Sequence, residues 1–195
     1  GCGSPFIPND PIDGGVINHE MLNKIEAPCA WSITRGDPNI ILAFLDVGFD
    51  QTHEDIAANL VYSYDYFTNS SNVSGSSDVN GPCRHGCQVS SLAIAQGDNN
   101  LGFSGISHYC KFMAFQLYGG SCDGTSGLHP NAVIDAANKG ARIINMSFNG
   151  SSPTTDETMA VDYAYKKGVF MVGSAGGKET QYTARYPAYQ PHVFS

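Results

Sequence analysis

Short apolar runs alternate with helix-patterned segments through most of this 195-residue chain, and that alternation limits what it can fold into. Residues 39–46, 111–117, 141–147 and 169–174 read as buried strands, and His192-Val193-Phe194 starts another. Residues 86–96, 130–138 and 155–167 read as helices, the first with Val89, Leu92 and Ala93 on one face. Pro130 lies in a first turn, while Gly140 and Gly168 follow last turns, the asymmetry expected of helix starts and stops. Strands joined through helices pair in parallel by right-handed crossovers, which puts helices on both faces of one sheet. The expected fold is therefore α/β: a doubly wound, mostly parallel sheet with no internal repeat. An irregular arm is expected over residues 1–25 and a polar surface loop over residues 63–82. Ligands of such sheets bind beyond the carboxyl ends of the strands, where Asp46, Ser147 and Gly177 fall.

Composition removes several classes of partner. Charged residues are only 14% and the net charge is -8, which argues against nucleic acid and against an acidic membrane surface. No apolar run is long enough to span a membrane. The six cysteines are an even number in a chain too long for a small disulfide scaffold. Cys83 and Cys87 lack a second pair at zinc-ligand spacing, so no zinc site is expected. Residues 173–180 are only loosely like a phosphate loop, because Val172 stands where glycine is needed and Glu179 where Ser or Thr is needed. Gly1-Cys2-Gly3-Ser4 is open to two readings, a lipid-modified cysteine left by a removed leader or the edge of a fragment.

Asp46 closes the run Asn39 to Leu45, and His85 opens a helix with Gly86 behind it. A carboxylate at the end of a buried strand and an imidazole at a helix start are two members of a Ser-His-Asp triad, in the chain order Asp then His. Each also has a plainer role, as a strand-end carboxylate capping its turn or as a helix N-cap. The two together favour the catalytic reading.

Further motifs accompany that pair. Asn9-Asp10-Pro11 and Lys24 to Trp31 precede it. Leu45-Asp46-Val47-Gly48 leads to His53-Glu54-Asp55, and His85-Gly86 follows. Ile144-Asn145-Met146-Ser147 and Tyr186-Pro187-Ala188 come later. From about Asn9 to Ser195 the chain resembles the N-terminal two thirds of the catalytic domain of a subtilase, a subtilisin-like serine protease, of the thermitase type. The resemblance implies a serine endopeptidase acting on protein or peptide substrates. His85 would take the proton of a serine hydroxyl and return it to the leaving amine, while Asp46 holds the tautomer and stabilises the imidazolium. The family's nucleophilic serine follows a glycine and opens a long central helix, and no serine stands in that context here. Residues 1–195 are thus expected to be an incomplete peptidase domain, inactive alone, with the complementary C-terminal part of the same domain as a partner. A nicked enzyme, a truncated chain and an incomplete reading frame all fit.

Four positions depart from the family's pattern. After the catalytic His, Cys87 and Gln88 stand where the family has threonine and histidine, followed by the matching Val89. Gly177 replaces the oxyanion-hole asparagine, a donor whose removal costs ~10²–10³ in turnover. Asn149 replaces a glycine of the first specificity pocket. Gly177 and the altered residues after His85 support the alternative of a catalytically dead, protease-like peptide-binding scaffold.

The resemblance also implies substrate-binding edges at Leu117, Tyr118, Gly119 and Gly120 and at Ser147, Phe148 and Asn149, with Gly176 on the far wall. It implies a structural calcium ion held by Asp10, Asp55, Asn99 and the loop positions Gly97, Leu101 and Phe103, an oxygen set that suits a hard cation. It implies a Cys83–Cys122 disulfide across the cleft, and with it a secreted or cell-surface location.

Overall fold

The computed structural model describes residues 2–11, 16–74, 84–118, 128–150, 152–176 and 185–195. Six strands form one sheet: β1 (Ile41–Asp46), β2 (Leu60–Asp65), β3 (Lys111–Gln116), β4 (Ile143–Met146), β5 (Phe170–Gly173) and β6 (Val193–Phe194). Their order is β2-β3-β1-β4-β5-β6 and every pairing is parallel, so β1 and β4 meet at the point where chain order reverses. The register sets Asp46 beside Gln116 at the carboxyl end of the sheet.

Alternating residues of the central strands feed two cores, as expected of a sheet covered on both faces. Ala43, Leu45, Met113, Phe115, Ile144 and Met146 meet the small inner residues of α4 (Pro130–Asn138) and α5 (Thr155–Lys166). Phe44, Phe112 and Ala114 turn the other way, onto Phe49, Ile56, Ile94 and Ala95 around α3 (His85–Ile94). Phe115 is wholly buried, so truncating it to alanine costs about 3–5 kcal/mol. Helix α5 begins with a capping box, in which Thr154 accepts from the Glu157 amide and the Glu157 carboxylate accepts from the Thr154 amide. Gly140 follows α4 at φ 88°, a conformation that favours glycine.

The expected doubly wound sheet is therefore present, with three local corrections. The arm over residues 1–25 is not irregular throughout, since Val16–Lys24 forms α1, followed by the short α2 (Ala27–Trp31). The loop expected from residue 63 begins after Asp65, because β2 adds an edge strand beside β3. Leu92 does not face inward and is 46% exposed. The buried face of α3 is Gly86, Ser90, Ser91 and Ile94. Two serines can take that face because their hydroxyls donate back to the Gly86 and Cys87 carbonyls, both at 2.7 Å, which satisfies them within the helix.

The N-terminal arm is fastened to the body. Cys2 is bonded to Cys29, the Phe6 amide donates to the Pro28 carbonyl at 2.9 Å, and Phe6 packs on Leu22, Ala27 and Trp31. The Cys2 sulfur is thus engaged with Cys29. Cys83 and Cys122 lie outside the described residues. Cys87 and Cys110 are free thiols.

Candidate active site

The turn after β1 builds the site. Asp46 ends the strand nearly buried, and its Oδ1 accepts from the Val47 amide at 2.7 Å. Gly48 follows with φ 75°, reversing the chain. The carbonyls of Val47 and Gly48 then accept from the Gly86 and Cys87 amides at 2.6 and 3.0 Å. These are N–H groups of the first turn of α3, which have no partner within the helix. The turn that carries the aspartate therefore also holds the helix that carries the histidine. A β-carbon on Gly86 would lie 2.8 Å from the Val47 carbonyl oxygen, so only glycine permits this approach.

His85 Nδ1 lies 2.7 Å from Asp46 Oδ1. With the proton on Nδ1 the ring donates to the carboxylate, and Nε2 is left as a proton acceptor. The hydrogen bond to Asp46 raises the imidazole pKa above its usual value, against the opposing effect of burial. Asp46 Oδ2 is buried and has no hydrogen-bond partner among the described residues. The Cys87 thiol is instead held neutral. Burial pushes its thiol pKa up, which keeps it protonated and a poor nucleophile.

Leu117 and Tyr118 continue β3 beside this pair. The Leu117 amide donates to the Asp46 carbonyl at 3.0 Å, and the Tyr118 carbonyl accepts from Gln116 Nε2 at 2.6 Å. Across the sheet, Ser147 Oγ accepts from Asn145 Nδ2 at 2.8 Å, and Phe148 packs on the α4–α5 core. Asn149 Oδ1 is buried without a partner among the described residues. Gly150 pairs antiparallel with Tyr186, its amide donating to the Tyr186 carbonyl at 2.7 Å. Gly176 has φ 103° and open space where a side chain would stand. Gly119, Gly120 and Gly177 lie outside the described residues.

The expected cation residues gather at a second place. Asp10 accepts from the Asp98 and Asn99 amides at 2.8 and 3.0 Å and from the Ser104 hydroxyl at 2.6 Å. Asp55 accepts from Asn99 Nδ2 at 2.9 Å and from the Phe103 amide at 3.3 Å. Asn99 Oδ1 receives the Leu101 amide at 2.9 Å, and Asn9 holds the Asn100 amide at 2.9 Å. Gly97 closes on the His108 ring, and Gly102 leaves room for the Asp55 carboxylate. Both carboxylates are buried, at 3% and 1% exposure. Burial opposes ionisation of Asp10, but the hydrogen bonds from Ser104, Asp98 and Asn99 outweigh it and lower its pKa. Asp55 goes up, chiefly through burial, with the charge of Asp10 adding to it. Two buried carboxylates in each other's field are oxygen donors of the kind a hard cation takes. Among the described residues no group of three or more His, Cys, Asp or Glu side chains is arranged to hold a metal, so any such ion depends on carbonyl oxygens.

Ser104 was not singled out from the sequence, while Asn9 and Gln116 stood there only as members of a motif and of a strand end, without these roles. Ser104 and Asn9 fasten the loop, and the buried Gln116 bridges the Asp46 turn to Tyr118. The two loop contacts join residues about 90 positions apart, and such pairings leave no local pattern.

Known proteins share this fold. Thermitase of Thermoactinomyces vulgaris is 30% identical over 190 residues, covering 97% of this chain and 64% of thermitase. The halolysin-like extracellular serine protease Nep of Natrialba magadii is 29% identical over 188 residues, 92% of this chain and 34% of that protein. Fervidolysin of Fervidobacterium pennivorans superposes with a TM-score of 0.72 at 23% identity, over 92% of this chain and 27% of the other. The chain thus spans less than two thirds of these relatives. Residues 37–195 match the model of the Subtilase family, and the chain belongs to that family.

Proposed function

We propose that Asp46 and His85 are the acid–base pair of a serine endopeptidase that cleaves proteins or peptides. The nucleophilic serine comes from sequence outside residues 1–195. The 2.7 Å contact between Asp46 Oδ1 and His85 Nδ1 carries this reading, because it fixes the ring with Nε2 able to take a proton. In the reaction Nε2 receives the serine hydroxyl proton as the oxygen attacks the scissile carbonyl, and Asp46 stabilises the imidazolium that forms. Nε2 then gives that proton to the leaving amine. An extended substrate lies between Leu117 to Gly120 and Ser147 to Asn149, with Gly176 on the far wall, and binds by main-chain pairing. Gly177 in place of an amide donor leaves the oxyanion to other groups.

The same reading assigns a calcium ion to Asp10, Asp55 and Asn99 with the carbonyls of Gly97, Leu101 and Phe103. When bound, it would neutralise the buried carboxylates and hold the loop to the N-terminal arm. The likeness to an extracellular relative and the Cys2–Cys29 disulfide support a secreted or cell-surface location.

A fluorogenic peptide assay tests the proposal. Residues 1–195 alone leave the peptide intact, and adding a complementary C-terminal polypeptide restores cleavage. Cleavage by the purified 195-residue chain defeats the reading.

A further inference from the structure

Gln116 sits at the carboxyl end of β3 and is wholly buried, directly beside Asp46 in the sheet register. A large amide at such a position must satisfy both its oxygen and its nitrogen. Its Oε1 accepts from the Gly48 amide at 3.0 Å, a buried contact inside the turn after Asp46. Its Nε2 donates to the Tyr118 carbonyl at 2.6 Å. Its main chain carries two further links, the Tyr66 amide to the Gln116 carbonyl and the adjacent Leu117 amide to the Asp46 carbonyl. The turn that Gln116 grips holds α3 through the Val47 and Gly48 carbonyls. One side chain is thus joined to three parts of the site: the aspartate turn, the helix bearing His85 and the edge containing Tyr118.

We propose that Gln116 is a positioning residue that sets the Asp46–His85 geometry and the Tyr118 edge together. This rests on the reading of Asp46 and His85 as the acid–base pair. An apolar side chain of equal size would fill the space but leave the buried Gly48 amide and Tyr118 carbonyl without these partners. Gly48 would then be free to shift, and its carbonyl would shift with it, loosening the first turn of α3. The sheet itself does not depend on the amide, because the β1–β3 ladder is made by main-chain groups.

The test is a Gln116→Met variant of the 195-residue chain followed by NMR, which needs no peptidase activity. The Gly48, Gly86 and Cys87 amides exchange about tenfold faster or more than in the parent, while Phe44 and Ala114 in the central strands are unchanged. His85 titrates at lower pH, and the low-field Nδ1 proton signal weakens. A folded variant in which His85 titration and the three amides match the parent overturns the proposal. If the variant does not fold, the parent chain decides: a scalar coupling from the Gly48 nitrogen to Gln116 Cδ supports the contact, and its absence overturns it. Failure of these measurements leaves the peptide assay above unaffected, and loss of the acid–base reading would appear there instead.

Discussion

His85 Nδ1 and Asp46 Oδ1 stand 2.7 Å apart although 39 residues separate them, and the turn that ends at one is hydrogen-bonded to the helix that begins at the other. The pair is therefore set by the backbone before either side chain chooses a rotamer. Sites held by the ends of strands and helices keep their geometry better than sites on loops.

That contact has a pH signature. The folded His85 imidazole has a pKa above its ordinary value, chiefly through the hydrogen bond to Asp46. Its contribution to stability is complete below the ordinary histidine value and is lost as pH rises through the raised folded value. Asp46→Asn removes the charge that favours the imidazolium. His85 then titrates lower, and the melting temperature loses that part of its decline with rising pH. An NMR titration of His85 in both chains checks this, and identical midpoints would refute the coupling.

Asp55 predicts a response to calcium. Its pKa is raised by burial and by the charge of Asp10. Stability from this group is present below the ordinary carboxylate value and lost as pH rises through the raised folded value. In chelator, Asp55→Asn cannot ionise and should melt at or above the parent temperature at neutral pH. Calcium at about 100 times its Kd should add about 2.7 kcal/mol to the parent and little to the variant. Calorimetry with and without chelator reads both, and a parent melt indifferent to calcium rules out the site.

How much of this was legible beforehand depends on whether the signal is local. The end of β1 at Asp46, the start of α3 at His85 and the span of α4 from Pro130 to Asn138 follow from apolar runs, Pro and Gly. Strand β2 carries a local signal too, since Leu60, Tyr62 and Tyr64 alternate with Val61 and Ser63. The inner face of α3 was not legible, because its serines are buried only by virtue of bonds to their own helix. Nothing local marks Gln116, whose partners lie across strands, or Cys2 and Cys29, whose pairing needs the arm folded back.

The Cys2–Cys29 bond gives a prediction of its own. It ties down the arm that delivers Asn9 and Asp10 to the 97–103 loop. In the chain-entropy treatment, closing a segment with a sequence separation of 27 is worth about 3–4 kcal/mol. Reduction, or Cys29→Ser, should lower the melting temperature and speed protease cleavage both before Asp10 and within residues 97–103. Peptide mapping without reduction should recover the 2–29 linkage, and would also show whether Cys83 and Cys122 are joined. Cleavage rates that do not change on reduction would mean the arm is held by its other contacts.

The central claim is that His85 and Asp46 serve a serine that residues 1–195 do not contain. It is tested most directly by organophosphate labelling of the chain combined with a complementary C-terminal polypeptide, with the modified serine located by mass spectrometry. The account predicts one labelled serine, outside residues 1–195, and loss of that label in His85→Ala. A labelled serine within residues 1–195, or labelling that persists without His85, would contradict it.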